Sequence, residues 1–342
     1  MSATFHTVDL SQWLNSSDSN DLDKIAEKWH DAFQSHGLVY LTNHGLSDLI
    51  RTVCQEWLRF CACNQEHKET FSSPVYGECG YNKVGKEAVA LSEDDHDDEA
   101  SPDPVESLEN GYSSSFDGMF PRSANGYIHG DTLRDAYSKL YHAMDSKVIR
   151  PCLDIASKAL GLDDEADFRK LWYDRGEGAY QLRLAHYVPR QGSERSLLYG
   201  EHTDYDGLTF LWRNRFNGLQ ACVDGVWENV PLLEDYADAL LINLGDLMQF
   251  WTNNTWISPL HRVVNTRQDN TDQDDLVSIV MFAGDYKSGL TNKTKKMMNL
   301  GPHQDTLLSP LQSCKLKKID ATEVTITAGQ HVLNKINKTA II

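Results

Sequence analysis

The stretch "GEHTDYDGLTFLW", Gly200 to Trp212, places a histidine and an aspartate two residues apart at the head of an apolar run. Side chains two apart in a strand project to the same face, so His202 and Asp204 can enter one cavity together while Thr203 points away. An imidazole and a carboxylate are two ligands for a divalent ion. A third is offered by His261 in "WISPLHRVVN". Two histidines and one carboxylate leave three positions open on an octahedral ion, the arrangement suited to a non-haem Fe(II) that must bind oxygen and a co-substrate together. Taken alone, His-x-Asp is a weak signal, because surface turns contain such pairs by chance.

The elements that must position these residues fall into two textures. Up to about residue 170 the chain reads as helix with short strands. "TFHTVDL" is extended, "LDKIAEKWHDAFQSHG" repeats Ile25, Trp29, Ala32 and Phe33 on one helical face, and Gly37 closes it. "LVYLTNHG" is a strand and "LSDLIRTVCQEWLRFCACNQEHKETF" one long amphipathic helix. Leu133, Tyr137, Leu140 and Met144 mark another, in which Pro151 is a kink or an end. From about Tyr180 short β-patterned segments follow one another, including "AYQLRLAHYV", "ALLINLGDLMQFWT" and "LVSIVMFAGDY". The expected architecture is a mainly β core, sandwich or barrel, over 171–342, with a helical and strand section, 1–170, packed around it.

Composition narrows the partners. A net charge of -18 argues against nucleic acid, because phosphate is held by clustered Lys and Arg. Eight of the fourteen residues from Glu93 to Glu106 are acidic, which reads as a self-repelling solvated loop with almost nothing to bury. Seven cysteines without a CxxC pair are thiol usage rather than a disulfide framework, and no secretory or organellar address or membrane-length run is visible. A cytoplasmic monomer acting on a small molecule is expected.

Around the three candidate ligands the chain resembles the isopenicillin N synthase-like branch of Fe(II)- and 2-oxoglutarate-dependent dioxygenases. The resemblance rests on "EHTDYDGLTFL", "INLGDLMQFWTNNTWISPLHRVVN" and "AFQSHGLVYLTNHGL", and runs from about Thr7 to Ala340. It implies a double-stranded β-helix (jelly roll), with Fe(II) on His202, Asp204 and His261, and with 2-oxoglutarate and O2 as co-substrates and ascorbate as an optional reductant. It further implies hydrogen abstraction from a small-molecule substrate, ending in hydroxylation, desaturation or ring closure, an amino-acid-derived metabolite such as a kainoid precursor being one candidate. Tyr187 matches the family tyrosine that bonds the co-substrate, while Ala185 replaces the usual asparagine. Tyr81, Lys83 and Phe282 resemble substrate-facing positions.

One departure stands out. The family's Arg-x-Ser, which holds the distal carboxylate of 2-oxoglutarate, reads Leu276-Val277-Ser278 here. Leucine has no donor for a buried carboxylate. Alternation in "YQLRLAHYVPR" puts Arg183 on the face of Tyr187, which makes Arg183 the expected replacement, with Arg267 and Arg262 next. The same departure keeps two other readings open: a 2-oxoglutarate-independent Fe(II) oxidase of the isopenicillin N synthase type, and a non-catalytic metal- or ligand-binding protein.

Overall fold

The computed structural model describes residues 4–72, 79–92, 102–110, 120–162, 180–188, 197–214, 218–236, 238–265, 275–284, 335–336 and 338–339. The N-terminal section begins as expected, with β1 (His6–Asp9), α1 (Leu10–Asn15) and α2 (Ser19–Ser35). Trp29, Ala32 and Phe33 of α2 are fully buried, and Asp18 caps its first turn by accepting from the Asn20 amide. Gly37 ends it: with φ at +68° its amide reaches back to Ala32 O at 3.1 Å, and β2 (Leu38–Thr42) follows at once.

The long helix expected over 46–71 is two helices, α3 (Ser47–Cys61) and α4 (Gln65–Glu69). Asn64 is the reason, since its side chain accepts from the His67 amide at 2.8 Å and so starts a new helix. The helix with Pro151 is also interrupted. α5 (Gly130–Met144) passes through a π turn at Asp145–Ile149 into α6 (Arg150–Ala159), and Pro151, which has no N–H to give, sits in the first turn of α6.

Two sheets form the core. The larger runs β1, β2, β10 (Leu240–Leu244), β7 (Leu208–Arg213), β12 (Leu276–Ala283), β5 (Tyr180–Tyr187), β4 (Val105–Glu109), β3 (Gly80–Asn82). The smaller runs β6 (Leu197–His202), β11 (His261–Val264), β8 (Leu219–Val223), β9 (Val226–Asn229). Strand alternation divides the large sheet. On β12, Val277, Ile279, Met281 and Ala283 join the cluster under the helices, whereas Leu276 belongs to the cluster between the sheets, along with Tyr187 and Ala185 of β5 and Leu241 of β10. Apolar burial on both faces explains why these strands read as continuous hydrophobic runs. The six cysteines among the described residues are free, and no helix there is long and apolar enough to cross a membrane.

The acidic segment differs from expectation at its C-terminal end. Residues 93–101 lie outside the described residues, but Asp103 is buried, accepting from the amides of Val89 at 2.7 Å and Gly200 at 2.9 Å. Glu106 is buried as well: Lys68 donates to it at 2.6 Å, and Tyr81 donates to the same carboxylate. The charge run hid two carboxylates whose partners are far away in sequence. Behind them Glu109 accepts from Asn82 and Gln181. Burial, reinforced by the charge of Glu87, pushes Asp103 up to about 7; burial also lifts Glu109 to about 7, with Arg183 opposing and Glu87 adding.

Two outcomes follow from these contacts. A Cβ on Gly37 would lie 2.1 Å from Ile257 O and 2.7 Å from Pro259 Cδ, in a left-handed backbone conformation. Gly37→Ala should cost roughly 2 to 5 kcal/mol, and an unchanged melting temperature would show that the crossing is loose. For pH, folded Asp103 and Glu109 keep protons that the unfolded chain gives up near 3.8 and 4.5, so stability should fall as pH rises from about 4.5 to 7. Thermal melts of the wild type and Glu109→Gln check this: the variant should show the shallower fall, and a wild-type melting temperature climbing across that window would contradict it.

Candidate active site

His202 is the last residue of β6 and His261 the first of β11, and the two are direct partners in the antiparallel ladder. Their rings lie 4.2 Å apart between centroids. Asp204 is just past the strand end rather than on it, so the turn, not strand alternation, carries its carboxylate inward. Its Oδ1 stands 3.6 Å from His202 Nε2 and 3.7 Å from His261 Nε2, and one ligand atom from each of the three residues fits within 4.8 Å.

Both imidazoles are aimed from the main chain. His202 Nδ1 is 2.8 Å from Gly200 O and His261 Nδ1 is 3.0 Å from Pro259 O. A carbonyl can only accept, so each Nδ1 carries a proton, and Nε2 is the ring nitrogen that each imidazole turns toward Asp204. Asn243 on β10 donates to the other carboxylate oxygen, Asp204 Oδ2. Burial resists charge on Asp204, yet His261 and His202 hold its carboxyl well below the usual range. Asp206, close by, goes the other way: burial and then the Asp204 charge push it well up. The donor set of two nitrogens and one carboxylate oxygen fits a divalent transition metal.

The three residues open on a cavity between the sheets of about 560 Å³, its mouth included. Leu38, Leu211, Leu219, Ala221, Leu241 and Val263 make most of its wall, with Tyr187, Tyr199, Thr209, Asn243 and Phe282 as the larger or polar contributors. An apolar wall with a few converging polar groups is the character of a small-molecule site. Phe282, expected on the substrate side, is among the residues that line it. Tyr187 and Ser278 also meet, their hydroxyls 3.1 Å apart.

The other expected residues are placed differently. Arg183 is buried and forked onto Glu87, with Nη1 to Oε2 at 3.1 Å and Nη2 bonded to Oε1, and it packs on the Tyr199 ring. Its charge is thus answered by a carboxylate 96 residues away, which the pattern of β5 could not reveal. Arg262 points off the opposite face of β11 from His261, its guanidinium 4.0 Å from the centroid of the Trp227 ring. Arg267 lies outside the described residues. Tyr81 does not line the cavity: it is packed edge-on to Phe60 under the helices, and Lys83 pairs with Glu69 at 3.2 Å. Asn82, between them, takes the inward face, so the reading of β3 was out of phase by one residue.

Sequence reasoning passed over Asn243, Glu87 and Tyr199. Asn243 alone had a visible signal, a polar residue inside the buried run "ALLINLG". A second potential ligand group, Cys61, Glu106 and His186, already contains a cation, because the Lys68 ammonium sits 2.6 Å from Glu106 Oε2. The far end of the chain reaches the site's edge, where Thr339 Oγ1 lies 3.0 Å from the Tyr205 hydroxyl.

Known proteins are similar to this chain in sequence and in fold. Residues 179–284 match the 2OG-Fe(II) oxygenase superfamily, and residues 5–119 match the non-haem dioxygenase in morphine synthesis N-terminal family. A 2-oxoglutarate-dependent dioxygenase of Didymella fabae is 26% identical over 88% of this chain and 91% of its own. A 1-aminocyclopropane-1-carboxylate oxidase of Cucumis melo is 26% identical over 70% of this chain and 69% of its own. Among solved structures, full-length Neurospora crassa T7H in complex with alpha-KG superposes with a TM-score of 0.73 at 21% identity, covering 97% of this chain and 95% of that one. A 2OG-Fe(II) oxygenase family protein from Caulobacter crescentus superposes with a TM-score of 0.71 at 20% identity, covering 99% of both chains. With its double-stranded β-helix and its His-Asp-His group, the chain belongs to the 2OG-Fe(II) oxygenase superfamily, oxidoreductases that work with Fe(II) and 2-oxoglutarate.

Proposed function

We propose that His202, Asp204 and His261 hold Fe(II), and that the apolar cavity beside them takes 2-oxoglutarate and a small organic substrate whose C–H bond is oxidised. The observation that carries this reading is the convergence of the two Nε2 atoms on one carboxylate in the wall of a mostly apolar cavity. Bound iron supplies the oxygen activation and the coupled loss of carbon dioxide from the keto acid. The chain's own residues do the rest. Gly200 O and Pro259 O fix the imidazoles, Asn243 fixes the carboxylate, and the aliphatic wall keeps water from the reacting centre.

Phe282 and its neighbour on β5, Gln181, stand on the substrate side of this reading. They are directly paired in the ladder, one lining the cavity and the other bonded to Glu109, so an apolar surface adjoins a polar one there. A substrate with an aliphatic body and a polar end fits that boundary. Hydroxylation and oxidative ring closure of an amino-acid-derived metabolite are both compatible with it.

Anaerobic titration of the Fe(II)-loaded protein with 2-oxoglutarate tests the core of the proposal. A weak visible charge-transfer band should grow with the keto acid, and oxygen consumption with substrate but no such band would place the protein among 2-oxoglutarate-independent oxidases. His202→Ala, Asp204→Ala and His261→Ala should each lose firm iron binding while remaining folded, two ligands being too few to retain a labile ion. Asn243→Ala, which frees the Asp204 carboxylate to rotate, should weaken iron by about 10- to 100-fold in equilibrium dialysis. Iron retained at wild-type affinity in His261→Ala would remove the triad from the metal site.

A further inference from the structure

The inner face of β7 ends in a buried cation. Thr209 and Leu211 line the cavity, and alternation carries the same face on to Arg213, the last residue of the strand and only 6% exposed. One guanidinium nitrogen, Nη2, donates to Val230 O. The other, Nη1, is buried with no hydrogen-bond partner among the described residues. The titratable groups that interact with it are the phenols of Tyr40 and Tyr187, both with pKa values raised by burial and so neutral at pH 7. Among the described residues no carboxylate lies within ion-pair distance of Arg213, in contrast to Arg183 on its Glu87 fork.

Its place in the sheet matters more than its burial. Arg213 is the direct ladder partner of Ser278, and Ser278 shares a hydroxyl contact with Tyr187, the partner of Leu276. An arginine at 276 would lie diagonally across one strand from Arg213, a separation of roughly 7 Å that a long side chain spans. A fork projecting from β7 and one projecting from β12 at 276 therefore serve the same corner of the space between the sheets, next to Tyr187 and Val230 of the cavity wall. A buried guanidinium that has donors to spare and no anion is costly to keep.

We propose that Arg213, together with Ser278 and Tyr187, binds the distal carboxylate of 2-oxoglutarate, taking over from the neighbouring strand the role that Leu276 cannot fill. This rests on the reading that the keto acid binds at the His202, Asp204, His261 end of the same cavity. Arg183, neutralised by Glu87, then shapes the wall and is not the anchor.

The test compares 2-oxoglutarate with 2-oxovalerate, which has the same keto-acid head and chain length but no distal carboxylate. Both are titrated anaerobically into the Fe(II)-loaded protein and followed by the charge-transfer band and by calorimetry, with iron content measured in parallel. Wild type should prefer 2-oxoglutarate strongly. Arg213→Met should bind 2-oxoglutarate about one to two orders of magnitude more weakly, with 2-oxovalerate and iron affinity little changed, so the preference collapses. Arg183→Met should keep the preference. Where Arg213→Met melts below the assay temperature, Arg213→Lys preserves the charge without the fork and should show an intermediate preference. Undiminished preference in Arg213→Met, or an equal loss for both keto acids in either variant, overturns the proposal. Wild type that binds iron but neither keto acid overturns instead the reading on which it rests.

Discussion

The pleat of the large sheet is the constraint on which the site depends. Because successive side chains leave a strand on opposite faces, β5, β7, β10 and β12 each carry two unrelated instructions at once. One set, including Phe210, Trp212, Ile242, Ile279 and Met281, is committed to the helices outside. The other, including Leu211, Leu241 and Phe282, faces the small sheet and encloses the reacting space. A slip of one residue in any of these strands would exchange the two sets and turn Trp212 toward the cavity. Burial on both sides makes that slip prohibitive, since each fully buried large apolar side chain is worth about 1.5 to 3 kcal/mol.

The small sheet adds the ligands with little material. Pairing His202 against His261 at the edge of a four-stranded sheet sets both rings by register, and the turn after β6 brings Asp204 to them. The loop holding Asp204 is tied into the large sheet by main-chain bonds, Asp246 N to Asp204 O at 2.8 Å and Gly245 N to Gly207 O at 2.8 Å. The proposed metal ligands thus sit where the two sheets are stitched together, and relative motion of the sheets would disturb all three.

How much of this was legible in the sequence varies with the range of the physics. The helix of Trp29 and Phe33 and its glycine stop were readable because periodicity and a positive φ are local. His202, Asp204 and His261, which the structure brings together, could be singled out because metal chemistry admits few residue types, and Phe282 and Ser278 could be placed because their strand is local. Asn64 was missed because a helix cap competes with periodicity over only three residues. Asp103 and Glu106 were taken for solvated acid because their partners, Gly200 and Lys68, lie at sequence separations no local pattern spans. Arg183 divides along the same line: its face could be deduced, but its counter-ion, Glu87, could not. The alternation Thr209, Leu211, Arg213 was in plain view, but that its strand pairs with β12 is a long-range fact that no local pattern carries.

The main-chain aim of the two imidazoles bears on which metal the protein carries. Carbonyl oxygens of Gly200 and Pro259 are present whatever side chains surround them, so the ring orientations are set before any ion arrives. A site with that degree of preparation accepts any divalent ion tolerant of two imidazoles and one carboxylate, and intrinsic affinity then follows the general order that favours copper and zinc over iron. Discrimination in favour of iron must come from the supply of ions around the protein rather than from the shape of the site, and preparations made in the presence of zinc or nickel are expected to carry those metals in the same place.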